Sequence, residues 1–174
     1  HAMAKDDTAD VGGARVLVPL PFEDRYTRGP LLGRGGMGEV HLCRDHTVGR
    51  EVAMKVIRPR SDESGLTLRR RFVREARVQG QLEHPAIVPV YDVGLDPEGA
   101  LYFTMKRVRG SSLSDVLSGL RSGDGSVLHR FNLRRLLSNF AQVCMAVHFA
   151  HQKGVVHRDL KPANIMFGDF GEVY

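Results

Sequence analysis

The stretch His157-Arg158-Asp159-Leu160-Lys161-Pro162-Ala163-Asn164 decides how this chain is read. From Asp159 to Asn164 it sets a carboxylate, an ammonium group and an amide within six residues, on a segment that reads as a loop. A base, a cation and a metal ligand in such proximity are the groups needed to place a phosphoryl group on a hydroxyl. Just upstream, Leu133, Leu136, Leu137, Phe140, Cys144, Val147 and His151 recur every three or four residues. That period predicts a helix over 133–152, stopped by Gly154. Before it, 112–120 reads as a shorter helix with Leu113, Val116, Leu117 and Leu120 on one face and Ser111 or Ser112 as its cap. Residues 121–129 read as a Gly/Ser loop.

Toward the N-terminus the pattern changes. Leu31-Leu32-Gly33-Arg34-Gly35-Gly36-Met37-Gly38 is a glycine-rich turn between short apolar runs, followed by 40–43 and then 51–57. These read as three antiparallel strands, the third ended by Pro59, with a loop over 61–65. Leu68, Phe72, Ala76 and Leu82, with Val78 beside them, predict a helix over 67–82 that Pro85 blocks. Residues 87–93 and 100–108 read as two more strands joined by Asp96-Pro97-Glu98-Gly99. The fold class expected is α+β: a five-stranded antiparallel sheet with one main helix, then a mostly helical region carrying the loop.

Composition limits the alternatives. A length of 174 residues suits one ordinary domain or part of a larger one, and 42% hydrophobic with 26% charged residues is a soluble, globular balance. No run approaches the eighteen or so apolar residues of a membrane span. His1-Ala2-Met3 reads as a cloning scar, and Lys5 to Asp10 lacks the apolar core of a secretory signal. Residues 4–24 read as a mobile arm in which Val16, Leu17 and Val18 can pack an edge. Cys43 and Cys144 read as buried free thiols, which suits a reducing cytoplasm. The net charge of +5 owes much to Arg69, Arg70, Arg71, Arg74 and Arg77, whose helical spacing reads as a solvated face. Without interleaved aromatic residues or zinc-finger spacing, no nucleic-acid partner is expected. His148 and His151 share a helix face but lack a third ligand, so helix-face or core histidines are favoured over zinc.

The order of these pieces resembles the protein kinase catalytic domain, in the style of bacterial serine/threonine kinases of eukaryotic type. Gly33-x-Gly35-x-x-Gly38-x-Val40 looks like the nucleotide-covering loop, and Val52-Ala53-Met54-Lys55 like the strand carrying the phosphate lysine. Glu75 occupies the place of that lysine's helix partner, and 157–164 fits the catalytic loop. The resemblance covers residues 26–174. It implies a small ATP-binding lobe over 26–109 and a partial large lobe over 110–174, after a tag scar and flexible arm over 1–25. It also implies ATP and Mg²⁺ as cofactors and a protein serine or threonine as acceptor. Glycines 33, 35 and 38 let backbone lie close over phosphates. Leu32, Val40 and Ala53 look like the roof over adenine and Met166 like its floor. Met105 to Val108 resembles the hinge between lobes, with Lys106 where an acidic residue is usual. In the loop, Asp159 resembles the acceptor-orienting base, Lys161 the cation that neutralises the transferred phosphate, and Asn164 a magnesium ligand. Arg158 resembles an arginine that docks an activating phosphate.

Asp169-Phe170-Gly171 spells a second magnesium motif of that family, but distance argues against it. Oxygens sharing one Mg²⁺ sit roughly 3 Å apart, whereas five residues of strand carry Asp169 roughly 16 Å from Asn164. Gly168 to Gly171 is good turn chemistry, so Asp169 is expected at a hairpin tip with Glu172-Val173-Tyr174 as the returning strand. In this family the metal aspartate stands about eighteen residues after the catalytic one, near position 177. The chain therefore reads as truncated inside the active site. Alone it is expected to transfer phosphate poorly, to expose the apolar stripe of 133–152, and to self-associate or exchange segments through it. The competing reading is a pseudokinase or fragment that binds nucleotide or a partner without transfer.

Overall fold

A computed structural model of the chain describes residues 8–11, 14–17, 20–35, 38–57 and 63–174. The scar, Val18, Gly36, Met37 and the strand-ending Pro59 lie outside the described residues. β1 (Thr8–Val11) and β2 (Ala14–Leu17) form an antiparallel pair. A helical turn, α1 (Phe22–Arg25), leads into β3 (Tyr26–Gly35), β4 (Gly38–Asp45) and β5 (Arg50–Ile57). Then come α2 (Glu63–Gly80), β6 (Val90–Leu95) and β7 (Leu101–Lys106). The sheet is antiparallel in the order β3-β4-β5-β7-β6, as its alternating apolar strands predict. α2 begins within the stretch expected to be a loop, at Glu63. The fourth strand starts three residues late, because Ile87 is turned back by a hydrogen bond to the His84 carbonyl.

Register divides the sheet into two faces. Residues directly opposite each other across antiparallel strands share a face. Val40, Lys55 and Phe103 are opposite one another across β4, β5 and β7, and so are Leu42, Ala53 and Met105. This face meets α2. Phe72 and Phe103 pack with their rings tilted by 47° and ring centres 5.0 Å apart, and Ile57 and Ala76 complete a buried cluster. Phe72 has no exposed surface, which is worth about 2–3 kcal/mol in hydrophobic burial. On the opposite face Tyr26, Cys43, Val52, Met54 and Tyr102 form a second core that Phe22 caps. Arg25 ties α1 down by ion pairs to Asp92 at 2.6 Å and Asp45 at 3.6 Å.

Past the hinge, β8 (Gly110–Ser112) opens α3 (Leu113–Ser122). Ser112 and Asp115 exchange side-chain and backbone hydrogen bonds in a capping box, and Gly123 closes the helix at φ 74°. The expected loop over 121–129 is instead mostly helix, with only Gly123 and Asp124 between the end of α3 and the start of α4. Asp124 accepts from the amides of Ser126 and Val127 and starts α4 (Gly125–Arg130). The cap overrides the weak helix preference of glycine and serine.

α5 (Leu133–Gln152) has the predicted bounds, with Asn132 as N-cap and Gly154 at φ 72° just beyond its end. Its buried positions are Asn139, Val143, Ala146 and Ala150, while Leu133, Leu137 and Phe140 are exposed. Cys144 lies on that exposed side, correcting the expectation of a buried thiol, whereas Cys43 is buried. Val143 packs with Val116, Phe131, Ile165, Phe167 and Val173 in a third cluster. β9 (Met166–Gly168) pairs antiparallel with β8.

Candidate functional site

The small-lobe part of the site is positioned by β5 and α2. Lys55 lies mid-strand, its ammonium 2.6 Å from Glu75 Oε1 and 5.7 Å from the centre of the Phe103 ring. The lysine side chain is 17% exposed and the glutamate 30%, so both charges are partly desolvated and depend on each other. Glu75 Oε2 is buried with no hydrogen-bond partner among the described residues, leaving acceptor capacity beside the ammonium. Phe103, absent from the sequence-based set, is legible afterwards in the period-two alternation of β7.

The glycine-rich hairpin joins β3 to β4. Gly38 has φ 145°, and a Cβ there would meet the Val56 carbonyl oxygen at 2.3 Å, so only glycine fits. At Gly33 and Gly35 a Cβ would meet nothing within 4 Å. Their small size is not explained by packing, as expected where backbone must leave room for a ligand. Gly33 pairs with Val40, which pairs with Lys55, so the hairpin and the lysine share one row across the sheet. Leu32 sits at a register shift in β3 and is 49% exposed.

The hinge follows β7. Met105 and Ala53 pair on the α2 side of the sheet. The Lys106 amide donates to the Pro89 carbonyl at 3.0 Å, and its ammonium bonds the Tyr174 hydroxyl and stands 4.4 Å above that ring. That hydrogen bond raises the Lys106 pKa. Among the described residues the Val108 amide and carbonyl take no hydrogen bond, so they are available to a planar ligand edge. Met166 begins β9 on the large-lobe side, half-buried.

The loop part is exposed and local. Lys161 Nζ lies 3.0 and 2.9 Å from the two Asp159 carboxylate oxygens. Asn164 Nδ2 donates to the Asp159 carbonyl at 2.7 Å and its Oδ2 at 3.1 Å. The hydrogen bond from Lys161, then that from Asn164, holds the Asp159 carboxyl below the usual carboxylate range. The Asp159 amide donates to His157 Nδ1 at 3.3 Å, so His157 shapes the loop. Arg158 is the one non-glycine residue at positive φ (63°) among the described residues, a strained turn of the sort that recurs at functional loops.

Magnesium favours oxygen ligands and keeps phosphate and water oxygens in its shell, with few from protein. Among the described residues Asn164 Oδ1 takes no hydrogen bond while its amide nitrogen is anchored, so the donor chemistry fits that ion. Asp169 stands apart. Its carboxylate pairs with Arg130 at 3.3 Å and its amide with the Arg109 carbonyl. Gly168 and Glu172 bond across a tight turn, Met166 and Tyr174 exchange backbone hydrogen bonds, and Phe167 bridges Val173. Asp169-Phe170-Gly171 is thus the tip of a hairpin, with Phe170 94% exposed.

Comparison with known proteins places this geometry. The protein kinase domain family matches residues 26–173. The serine/threonine-protein kinase PknD of Chlamydia muridarum is 43% identical over 152 residues, covering 86% of this chain and 16% of that protein. PknD of Chlamydia trachomatis serovar L2b is 44% identical over 153 residues, with the same two shares. PknD of Protochlamydia amoebophila is 41% identical over 159 residues, covering 88% of this chain and 16% of its own length. The chain therefore spans about a sixth of the length of these curated relatives. No helix among the described residues is long and apolar enough to cross a membrane.

Proposed function

The chain belongs to the protein kinase family, and from that premise we propose that it serves a serine/threonine protein kinase that phosphorylates protein hydroxyls. The observation that carries this reading is the Asp159 cluster: an exposed, ionised carboxylate bracketed by a cation and an anchored amide. Bound ATP and Mg²⁺ supply the phosphoryl group and much of the charge neutralisation.

Each residue has a task that follows from its surroundings. Lys55, steadied by Glu75, holds the α- and β-phosphates. Gly33, Gly35 and Gly38 keep the backbone close above them. Leu32, Val40 and Ala53 cover the adenine, Met166 supports it from below, and the backbone from Met105 through Lys106 to Val108 meets its edge. Asn164 offers Oδ1 to the metal. Asp159 orients the acceptor hydroxyl. A carboxylate with a lowered pKa is a weak base, so it takes the proton late, when the hydroxyl oxygen has begun to bond phosphorus. Lys161 shares its charge between Asp159 and the phosphate in transit. A neighbouring exposed region, Leu133, Leu137, Phe140 and Met145 of α5, favours self-association or exchange of segments. The free thiols Cys43 and Cys144 suit the cytoplasm.

The test is phosphate transfer from ATP to serine and threonine residues of a protein acceptor by the intact protein. Asp159→Asn is expected to lower kcat by about 10²–10⁴ while circular dichroism stays unchanged. A variant as fast as the parent would remove Asp159 from the reaction.

A further inference from the structure

Val108 offers its peptide groups to the adenine edge, yet no strand pairing holds them. β7 ends at Lys106 and β8 begins at Gly110, so residues 107–109 lie outside any ladder. Among the described residues the Val108 amide and carbonyl bond to no other group. The segment is fixed through its side chains instead. Arg107 Nη1 and Arg109 Nη2, two residues apart, both donate to one oxygen, Oε2 of Glu51, the second at 2.6 Å. Glu51 belongs to β5 and stands opposite Arg44 of β4 in the five-stranded sheet. A carboxylate on a regular strand thus grips the connector on both sides of Val108. Lys106 takes no part in this contact, because its ammonium bonds the Tyr174 hydroxyl.

We propose that Glu51 is a positioning residue for the nucleotide: it clamps Arg107 and Arg109 so that the Val108 amide and carbonyl are held ready for the edge of the adenine base. This inference rests on the reading of the connector as the adenine-binding segment. The clamp itself touches neither base nor phosphate. Its effect is preorganisation. With the clamp in place, the free protein has already ordered the peptide groups that the base meets; without it, binding must supply that ordering. Exposure separates this task from one of holding the fold together. The side chains of Glu51, Arg107 and Arg109 are 31%, 26% and 65% exposed, and ion pairs so open to water add little to folding stability. The phosphates are held elsewhere on β5. Lys55 lies four residues along the strand, about 13 Å away, and is steadied by Glu75 rather than by Glu51. Loss of the clamp therefore weakens the grip on the base and spares the grip on the phosphates.

The experiment titrates the intact protein with ATP and Mg²⁺, and separately with adenosine, which carries the base without phosphate, and follows the Val108 amide by nitrogen-15 NMR. Both ligands are expected to shift that amide in the unsubstituted protein. Glu51→Gln is expected to weaken ATP and adenosine by the same factor, about three- to tenfold. The KM for ATP should rise in step, while kcat and the thermal midpoint hold. Arg107→Gln with Arg109→Gln is expected to do the same. All three substitutions together should lose no more than either set, because both sets remove one contact. Unchanged affinity in Glu51→Gln, a loss for ATP without one for adenosine, a thermal midpoint that falls with affinity, or losses that multiply in the triple variant overturns the clamp and leaves the adenine reading intact. A Val108 amide that neither ligand shifts in the unsubstituted protein overturns the adenine reading and the clamp with it.

Discussion

The two halves of the candidate site are built by opposite means. Lys55 and Glu75 are twenty residues apart in sequence, come from a central strand and a packed helix, and meet with limited exposure. Asp159, Lys161 and Asn164 lie within six residues and are exposed. The first pair exists because the small lobe folds, and its geometry is only as good as the Phe72–Phe103 packing beneath it. The second cluster is set by a short loop whose side chains bond one another. Damage to either should therefore look different: at the Lys55–Glu75 pair function and stability fall together, and in the loop function falls with little loss of stability.

Lys55→Met is the strongest challenge to this contrast after Asp159→Asn. It is expected to cost about 10²–10³ in kcat/KM through loss of phosphate stabilisation. It also strands the Glu75 carboxylate, with a loss of about 1–3 kcal/mol visible in urea unfolding. If stability does not change while activity collapses, the small-lobe pair is as independent of the fold as the loop.

Glycine substitutions divide the hairpin in the same way. Gly38→Ala forces a side chain against the Val56 carbonyl at positive φ and is expected to cost about 1–3 kcal/mol. Gly33→Ala meets no protein atom, so nucleotide affinity should fall while the thermal midpoint holds. Calorimetry and nucleotide titration on both variants check the pair, and equal thermal losses would erase the distinction.

The loop's own coupling is tested by pH. The Asp159 carboxyl titrates below the ordinary value because Lys161 and Asn164 bond its ionised form. Its contribution to stability is thus present above the ordinary aspartate pKa and fades as pH falls through the lowered value. Lys161→Met should move the carbon-13 titration of Asp159 upward, and no movement would mean that the contact is not formed in solution. Smallest of all is Asp169→Asn. It removes an exposed ion pair worth under about 1 kcal/mol and should leave phosphate transfer within about twofold of the parent, since its carboxylate faces Arg130. A large loss of activity would make that residue a metal ligand after all.

These contrasts also explain what could be read from the sequence. The loop was legible because its geometry is local, and the strand bearing Lys55 because alternation and register are regular. α5 was legible in extent, through Asn132 and Gly154, but not in orientation. It has large apolar residues on one side and Val143, Ala146 and Ala150 on another, and the smaller set is the one that packs. Periodicity weighs size and cannot tell which side a neighbour covers, which is why Cys144 is exposed where the pattern predicts burial. α4 was hidden because its glycine and serine carry little helix signal and one cap at Asp124 decides it. Phe103 went unnoticed because its proximity to Lys55 depends on pairing between strands nearly fifty residues apart.

The hinge has a mechanical consequence. Glu51, at the start of β5, receives Arg107 and Arg109, and the hydrogen bond from Arg109 is the main reason its carboxyl is held below the usual range. The connector is thereby lashed to the small lobe through position 109. One residue later Gly110 is locked to the large lobe by pairing with Gly168, so closely that a Cβ would meet the Phe167 carbonyl oxygen at 1.9 Å. Arg109 is gripped from both sides, by its guanidinium to Glu51 and by its carbonyl to the Asp169 amide. Little chain is left to bend between the anchors. The Arg109–Gly110 junction is thus a double tether, held to β5 through Glu51 and to the β9 hairpin through Gly168 and Asp169.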